Sequence, residues 1–524
     1  MTAVSDPAPD GPGAQDWSTA GDRPSDEPRP AQDESPQAAN TRARRIGVGL
    51  LLVFAAIGLV IRLFAVTSWY PSCPSPKVFG EKPPEGCFQN YNWGDAFYFT
   101  TQAKLLAEGH GFINSPSWFL HNTKNPAIPE YLPGAGHPPL YTVVLAVLYK
   151  AGIDNPGDQR IVFPFVGAIG VLLVGAAAWQ VAGRRGPVVG PIAAFIAATY
   201  PMMWINDFRY LSESIYIPIV ALLVMAMYRF ARQPSVASAA LAGAMFGLAG
   251  LTRGEGFFIL AFTVPFLLWR MKDRPWKERV ALGTVVVGVM GALMAPWVLY
   301  NLSRFEEPVF VTSGTGMVLL HGSCDQAFYG DAVGYYSFTC ADVLKSYDNR
   351  LLIYYEEHAD VVAREFAIDY LKENFWRLPV VVLARIGRMW DLYAPFQNVS
   401  FNDQLEGRGY YPSLIGLWYY WLLIPLAVYG AVVLHRRGTP LSPLLGIAAA
   451  VTLTAALSFG VTRYRVPAEV SLVILAAIGV DAAVARWRGS RPAAVDTATQ
   501  DPSSQSALSV ECARVDEARS APTG

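Results

Sequence analysis

The chain has 524 residues, of which 52% are hydrophobic and only 16% are charged, whereas soluble globular domains carry about a quarter charged residues. The 41 basic and 42 acidic residues leave a net charge of −1, and no basic face interleaved with aromatic residues points to a nucleic-acid partner. The composition therefore argues against an ordinary soluble domain and indicates a polytopic membrane protein that does not bind nucleic acid.

The two ends of the chain differ from its middle. Residues 1–45 and 489–524 are rich in Pro, Ala, Ser, Asp and Gln and show no apolar periodicity, which predicts disordered cytoplasmic tails. Residues 46–488 carry the apolar runs and form the predicted membrane domain. The first run, Ile46–Val66, is too long and lies too far along the chain for a cleavable signal peptide, so we expect it to be a retained span.

Apolar runs recur at about the length needed to cross a hydrocarbon core of about 30 Å. The basic clusters between them, such as Arg184-Arg185 and His435-Arg436-Arg437, belong in the cytoplasm by the positive-inside rule. Together these features predict about ten transmembrane helices in a multi-pass cell-membrane protein with both termini inside. The predicted spans are Ile46–Val66, Ile161–Ala182, Pro187–Trp204, Leu211–Phe230, Ala237–Thr252, Gly256–Trp269, Arg279–Tyr300, Tyr411–Leu434, Leu441–Gly460 and Pro467–Val484.

Two long polar segments separate the spans, at residues 67–160 and 301–410, and the charge pattern places both on the outer side. The first loop contains an apolar run, Leu140–Tyr149, of about ten residues. This length is too short to cross the bilayer and predicts a re-entrant or juxtamembrane helix.

Four of the five cysteines fall in these two predicted outer loops. Disulfides persist in oxidising compartments, so the spacing favours local bridges Cys73–Cys87 and Cys324–Cys340. Four unpaired thiols are the alternative.

Several carboxylates and one histidine lie where the predicted spans meet the outer side. Asp95, in an aromatic stretch after the first span, has the chemistry of a general base, or it caps a helix N-terminus. Glu213 begins a span, where a carboxylate is costly and is by default a functional hypothesis. For Asp207, just before it, a role in matching the helix dipole is as good an interpretation. His137 precedes the juxtamembrane helix, and the two prolines after it direct its imidazole to where the loop meets the bilayer surface. A surface cap is an equally good interpretation.

Arginines on the predicted outer side run against the usual charge bias. Arg253 either binds phosphate or pairs with Glu255, and the sequence does not decide between these roles. The cluster Arg463-Tyr464-Arg465 offers two guanidinium groups and a phenol, a set suited to phosphate oxygens. Snorkelling of these arginines to lipid headgroups is the competing interpretation.

No metal or nucleotide motif is visible in the sequence. It contains no His-Glu-x-x-His, no paired Cys-x-x-Cys and no Walker glycine loop, so we expect no metal and no cofactor. An outward-facing site has no access to cytoplasmic nucleotide sugars or ATP. Any activated donor must therefore arrive attached to a lipid.

From about Ile46 to Arg488 the chain resembles the membrane-embedded GT-C glycosyltransferases. The resemblance is to the PMT/ArnT-like group, related to glycosyltransferase family 39, which uses polyprenyl-phosphate sugars. Its markers are Gly94-Asp95, His137-Pro-Pro-Leu-Tyr141, Leu211-Ser-Glu213, Leu251-Thr-Arg253-Gly-Glu255-Gly and Arg463-Tyr-Arg465-Val-Pro467. It implies a GT-C type helical bundle with juxtamembrane helices and two large outer loops.

The resemblance also implies roles for individual residues. Asp95 is expected to be the catalytic carboxylate that activates the acceptor, and Glu213 matches the second acidic position. Many relatives have Asp-Glu at the first motif, where this chain has Asp95-Ala96. His137 falls where aminoarabinose-transferring relatives carry a lysine near the lipid phosphate. Arg253 and Tyr464 match positions at which relatives place cationic or phenolic phosphate contacts. Together with the guanidinium groups of the Arg463-Tyr464-Arg465 cluster, this gives the set expected at the donor phosphate: His137, Arg253, Arg463, Tyr464 and Arg465, with Asp207 and Glu255 in support.

The predicted function is transfer of a sugar from a polyprenyl-phosphate donor, at the extracytoplasmic face, to a glycan, lipid or protein acceptor. Direct displacement with inversion at the sugar carbon is the course that the resemblance implies, and membrane lipids are expected partners. The main alternative is a transporter or flippase of a lipid-linked or anionic solute. Such proteins usually show internal repeats and polar groups near the bilayer midplane, and the sequence shows neither. A non-catalytic assembly or sensor subunit is a third interpretation.

Overall fold

The computed structural model describes residues 36–69, 94–124, 126–207, 209–347 and 354–489. Within these residues the chain is helical, with turns between the helices and no β-strand beyond one isolated bridge. The predicted all-α architecture is confirmed. The described residues from Arg45 onward form one compact unit.

The α-helices of the described residues follow one another along the chain in this order: α1 Pro36–Phe64, α2 Gly94–Glu108, α3 Ser115–Thr123, α4 Leu140–Lys150, α5 Pro156–Ala182, α6 Gly186–Thr199, α7 Glu213–Arg232, α8 Val236–Thr252, α9 Glu255–Arg270, α10 Trp276–Leu302, α11 Thr315–His321, α12 Asp325–Phe328, α13 Glu356–Glu373, α14 Leu378–Met389, α15 Pro395–Gln404, α16 Tyr410–Arg436, α17 Ser442–Leu457 and α18 Val466–Gly489.

Six helical segments of the described chain are long and apolar enough to cross a membrane. They are Asn40–Ser68, Gly157–Thr199, Glu213–Arg232, Trp276–Leu302, Tyr410–Arg436 and Thr462–Gly489. Helices suit this role because all their backbone hydrogen bonds are made within the segment.

All ten predicted spans coincide with helices. The second long segment holds α5 and α6, which were predicted as two spans. The remaining three predicted spans lie on α8, α9 and α17, whose 16 or 17 residues make them about 25 Å long. Helix α4 has 11 residues and is about 16 Å long, in line with the predicted juxtamembrane helix.

Helix α18 packs at the centre of the apolar core, against α5, α6, α7, α16 and α17. Its contact with α16 is a close backbone approach between two glycines. A Cβ atom on Gly430 would lie 1.9 Å from the carbonyl oxygen of Leu475, and one on Gly479 would lie 2.0 Å from that of Leu426. Small residues let transmembrane helices approach in this way, so the two glycines fix the distance between α16 and α18.

Two smaller apolar clusters carry the segments outside the long helices. Helices α2 and α4 pack around Phe99, Tyr141 and Leu145. Helices α11 to α14 pack around Phe328 and Val362, beside a disulfide that joins Cys324 and Cys340. Cys73 and Cys87 lie outside the described residues.

Candidate active site

Charged side chains from six separate stretches of the chain meet at one place. Three of the carboxylates lie in the first turns of α2, α7 and α9, where the positive end of the helix dipole favours a negative charge. Two arginines come from the turns that precede α9 and α18. The members of this cluster are Asp95, His137, Glu213, Arg253, Glu255, Glu406, Arg463 and Tyr464.

Arg463 lies at the centre of the cluster, with a carboxylate beside each of its three nitrogens. Its Nη2 is 2.7 Å from Oδ2 of Asp95 and its Nε is 3.2 Å from Oε1 of Glu213. Its Nη1 is 3.1 Å from Oε2 of Glu406. One guanidinium group therefore ties α2, α7 and the segment between α15 and α16 together.

Arg253 is the second cation of the cluster, and it donates hydrogen bonds to two carboxylates. Its Nη1 donates to Oε1 of Glu213 at 2.6 Å, and its Nη2 donates to Oε1 of Glu255 at 3.0 Å. Its guanidinium also lies 5.7 Å from the centre of the Tyr464 ring, within the range of a cation–π interaction. Glu213 thus bridges both arginines, and because it is only 1% exposed this arrangement favours a role in holding them.

Asp95 is the most exposed carboxylate of the three around Arg463, at 28%. Burial would raise its pKa, but Arg463, His137 and Arg253 together hold the pKa of this carboxyl well below its ordinary value. Asp95 is therefore an anion at neutral pH. Its helix begins at Gly94, which has a φ of +58°, a left-handed conformation that glycine adopts without the strain other residues meet.

His137 lies on the other side of Asp95, with Nε2 3.4 Å from Oδ1 of the carboxyl. Its ring packs against those of Tyr98 and Phe99, with centres 4.9 and 4.8 Å away. The hydroxyl of Tyr98 accepts from the backbone N–H of Gly136 at 2.7 Å. Helix α2 therefore fixes the position of His137 as well as that of Asp95.

Glu356, in the second predicted outer loop, supports the segment just before His137. Oε2 of Glu356 accepts from the backbone N–H of Ala135 and from the hydroxyl of Ser313, both at 2.6 Å. From the end of α10, Arg304 donates to the carbonyl oxygen of Gly134 at 2.6 Å. The residues just before His137 are thus clamped from two directions.

Arg465 is placed elsewhere. It is 1% exposed, its Nε is 2.5 Å from Oε1 of Glu469, and its Nη1 is 2.9 Å from Oδ2 of Asp391. Its guanidinium lies 3.6 Å from the centre of the Tyr420 ring. The structure therefore separates Arg465 from Arg463 and joins it to a buried network of its own.

Asp207 is also outside the cluster. It pairs with Arg62 of α1, with 2.6 Å between Oδ2 and Nε, and both side chains are fully buried. A Cβ on Gly167 would lie 2.2 Å from that carboxyl, so α5 approaches the pair closely. Asp207 links α1 to the connection between α6 and α7.

Sequence reasoning missed Glu406 and its neighbour Arg408. Arg408 is buried and donates to Thr462 at 3.2 Å and to Asn206 at 3.1 Å. A signal for both is present in Glu406-Gly-Arg408-Gly, where an acid and an arginine alternate with glycines of positive φ directly before α16. Charged residues in such a turn at the start of a membrane helix are candidates for a site.

Among the described residues, no three histidine, cysteine or carboxylate side chains are grouped as a metal ion would require. The carboxylates of the cluster form ion pairs with Arg253 and Arg463 instead. The arrangement offers one partly exposed anion, Asp95, beside two guanidinium groups and an imidazole.

The sequence model of the dolichyl-phosphate-mannose-protein mannosyltransferase family matches residues 136–300, about a third of the chain. The match includes His137, Glu213, Arg253 and Glu255, and it confirms the resemblance to the PMT/ArnT-like group. Asp95 and Arg463 lie outside it. No curated protein sequence matches the chain significantly.

Among solved structures, the chain is similar to an Archaeoglobus fulgidus oligosaccharyltransferase in complex with Zn and sulfate, at 15% identity and a TM-score of 0.45. That alignment covers 84% of this chain and 50% of the other, so the chain spans half the length of that protein. It is also similar to ArnT from Cupriavidus metallidurans bound to undecaprenyl phosphate, at 14% identity and a TM-score of 0.37, covering 84% of this chain and 79% of the other.

Proposed function

We propose that this membrane glycosyltransferase transfers a sugar from a polyprenyl-phosphate donor to an acceptor hydroxyl at the extracytoplasmic face of the membrane. One observation carries the proposal. The ion-pair cluster joins a partly exposed carboxylate, Asp95, to two arginines and a histidine that come from distant parts of the chain. These are the groups needed to remove a proton from an acceptor and to stabilise a departing phosphate.

Asp95 is the proposed general base. It is ionised at neutral pH and 28% exposed, so an acceptor hydroxyl can reach it. The two other carboxylates beside Arg463 are almost fully buried. A base must come within hydrogen-bond reach of the proton that it removes, and Asp95 is the carboxylate of the three that meets this condition.

Arg253, Arg463 and His137 are the proposed contacts of the donor phosphate. A guanidinium group matches two phosphate oxygens with parallel hydrogen bonds. Tyr464 lies beside Arg253 and adds a neutral donor. Charge that develops on the leaving phosphate is stabilised by cations already fixed in place, which is the most effective form of electrostatic catalysis.

The proposed step is a single displacement. The acceptor O–H bond breaks and its proton passes to the Asp95 carboxylate, while the acceptor oxygen forms a bond to the anomeric carbon. The bond from that carbon to the phosphate oxygen breaks, and its electron pair leaves with the polyprenyl phosphate. The configuration at the anomeric carbon is inverted. Binding both substrates in one site supplies the proximity that the reaction needs.

The test uses purified protein in nanodiscs, undecaprenyl-phosphate donors carrying a labelled hexose or pentose, and a cell-envelope extract as the source of acceptors. Asp95→Asn is expected to slow transfer at least about 10²-fold, since general bases contribute 10²- to 10⁴-fold, while undecaprenyl phosphate still binds. Arg253→Gln is expected to weaken that binding. Asp403→Asn, a half-buried carboxylate on α15 outside the cluster, is the control. Wild-type transfer by the Asp95 variant, or failure of the protein to bind undecaprenyl phosphate, would refute the proposal.

The proposed sidedness has its own test. Glu307, just after α10, and Arg437, just after α16, are both exposed. With a cysteine at either position, an impermeant maleimide added to intact cells is expected to label position 307 and not position 437. The reverse pattern would place the cluster at the cytoplasmic face and contradict an extracytoplasmic acceptor.

A further inference from the structure

Glu406 is a carboxylate to which neither the sequence motifs nor the proposed reaction assigns a role. It lies between α15 and α16, is 8% exposed, and its Oε2 is 3.1 Å from Nη1 of Arg463. It approaches Arg463 at a different nitrogen from Asp95 and Glu213. Arg463 is therefore held at Nε and Nη1 by two buried acids and at Nη2 by the exposed one.

Glu406 is itself fixed by a tyrosine. The hydroxyl of Tyr336 donates to Oε1 of Glu406 at 3.0 Å. Burial raises the pKa of Tyr336 well above its ordinary value, so the phenol keeps its proton and remains a donor. Its ring stacks on Tyr335 at 4.8 Å and contacts Phe459 at 5.1 Å, and Phe459 stacks on Tyr464. Tyr336, from the second predicted outer loop, thus supports Glu406, which in turn contacts Arg463.

The cluster has more negative than positive charge. Its four carboxylates are paired with two arginines, so neither guanidinium in it is left over for a phosphate. A donor phosphate must take the place of a carboxylate at one of them. Asp95 is the carboxylate best able to leave, because its exposed fraction of 28% far exceeds the 1% of Glu213 and the 8% of Glu406.

We propose that Glu406 is a positioning residue which, together with Glu213, holds the Nη2 edge of Arg463 toward the substrate, so that the donor phosphate replaces Asp95 there. Asp95 is then released to accept the proton of the acceptor. This inference rests on the proposed function and adds an order to it. The donor binds first, and its phosphate makes Asp95 available as a base.

The exchange makes the reaction sensitive to the charges that face Asp95 and Arg463. The cations are His137, Arg253 and Arg408, and the anions are Glu213, Glu255 and Glu406. Two phenols, Tyr336 and Tyr464, complete the surroundings. When the charge of Glu406 is removed, fewer anions compete for Arg463. In the donor-free protein Arg463 then binds Asp95 more strongly, and the pKa of the Asp95 carboxyl falls further.

The test compares Glu406→Gln, which keeps the shape and removes the charge, with Glu406→Asp and the control Asp403→Asn, each in nanodiscs with the undecaprenyl-phosphate sugar that the wild type transfers. Glu406→Gln is expected to lower kcat about tenfold, since Arg463 is then no longer held in the orientation that presents Nη2 to the donor phosphate. The KM for the donor should change less than kcat does. Glu406→Asp is expected to recover part of kcat, and Asp403→Asn to match the wild type.

A Glu406→Gln enzyme with wild-type kcat would overturn the inference. If that variant does not fold, Tyr336→Phe gives the answer instead. It keeps the charge and removes one hydrogen bond to a charged group, and about a three- to tenfold loss of kcat is expected, while wild-type kcat would overturn the inference. Failure of the proposed function is distinguishable, because Asp95→Asn would then transfer sugar at the wild-type rate.

Discussion

Replacing Arg465 with methionine is expected to destabilise the protein, whereas the same substitution at Arg463 is expected to abolish donor binding. The two residues are separated by one position in the chain, but Arg465 is 1% exposed and Arg463 is 15% exposed. Methionine keeps most of the side-chain length in both variants and removes the charge. Comparing the two variants therefore tests whether each arginine stabilises the fold or binds the donor.

The expected magnitude follows from what each variant leaves behind. Without Arg465, the buried carboxylates of Glu469 and Asp391 lose the cation that they share. Removing one partner of a buried ion pair costs about 3–5 kcal/mol of unfolding free energy. Without Arg463, Glu213 still has Arg253 and the more exposed Asp95 can be hydrated. The buried Glu406 keeps its hydrogen bond from Tyr336, so we expect a smaller loss of about 1–3 kcal/mol.

The assay is the thermal unfolding temperature of the detergent-solubilised protein, followed by size-exclusion chromatography, beside binding of undecaprenyl phosphate. At about 2 °C per kcal/mol for a large chain, Arg465→Met should lower the unfolding temperature by roughly 6–10 °C. Adding Asp391→Asn and Glu469→Gln to Arg465→Met should recover most of that loss, because no buried charge remains unpaired. An Arg465→Met protein with an unchanged unfolding temperature and no phosphate binding would refute the reasoning and return Arg465 to the donor site.

Two further predictions concern packing and pH. Gly479→Ala should lower the unfolding free energy by about 1–3 kcal/mol, because the new Cβ overpacks against Leu426. Gly288→Ala on α10 is the control, since its new Cβ has no atom within 4 Å, and it should not destabilise the protein. Equal unfolding temperatures for the two variants would contradict the close approach of α16 and α18. The pKa of Asp95 is lowered on folding, so its stabilising effect is present above the ordinary pKa near 3.8 and is lost only as the pH falls through the lower folded value. Asp95→Asn should accordingly be less stable than the wild type from about pH 8 down to about pH 4, and a difference that disappears between about pH 7 and pH 5 would show that the carboxyl is not held by Arg463.

The fold could be predicted to a large extent, because apolar runs that must satisfy their backbone in lipid become helices. All ten predicted spans lie on helices, and the short run at Leu140 is a short helix. Helix α1 begins at Pro36, earlier than the apolar boundary at Ile46. The polar residues before that boundary extend the helix without contributing to the apolar signal.

The candidate site could be predicted only in part. A carboxylate or arginine at the start of an apolar helix is visible in a sequence, and Asp95, Glu213, Arg253 and Arg463 do meet. Which side chain of a short turn enters the site is not visible. Arg463 and Arg465 lie in a 3₁₀ turn with three residues per turn, so residues two apart point in different directions.

Pairings over long distances in the chain could not be predicted for a related reason. Asp207 was interpreted as a helix-dipole or supporting residue, and its partner Arg62 is 145 positions away. Arg253 was weighed as a phosphate ligand or a partner of Glu255, and it contacts Glu213 as well. A periodic pattern reports which face of a helix is apolar, but it does not report which other helix that face meets.

The separation of Asp95 from Arg463, 368 positions along the chain, has a consequence for biosynthesis. At about 5–20 residues per second, the ribosome needs roughly 20 to 70 s after making the first of these residues to reach the second. During that interval Asp95 and Glu406 are present without Arg463, while Glu213 and Glu255 can already pair with Arg253. Under the proposed function, a chain truncated before Arg463 lacks the guanidinium group that contacts Asp95, Glu213 and Glu406, and it is expected to be inactive.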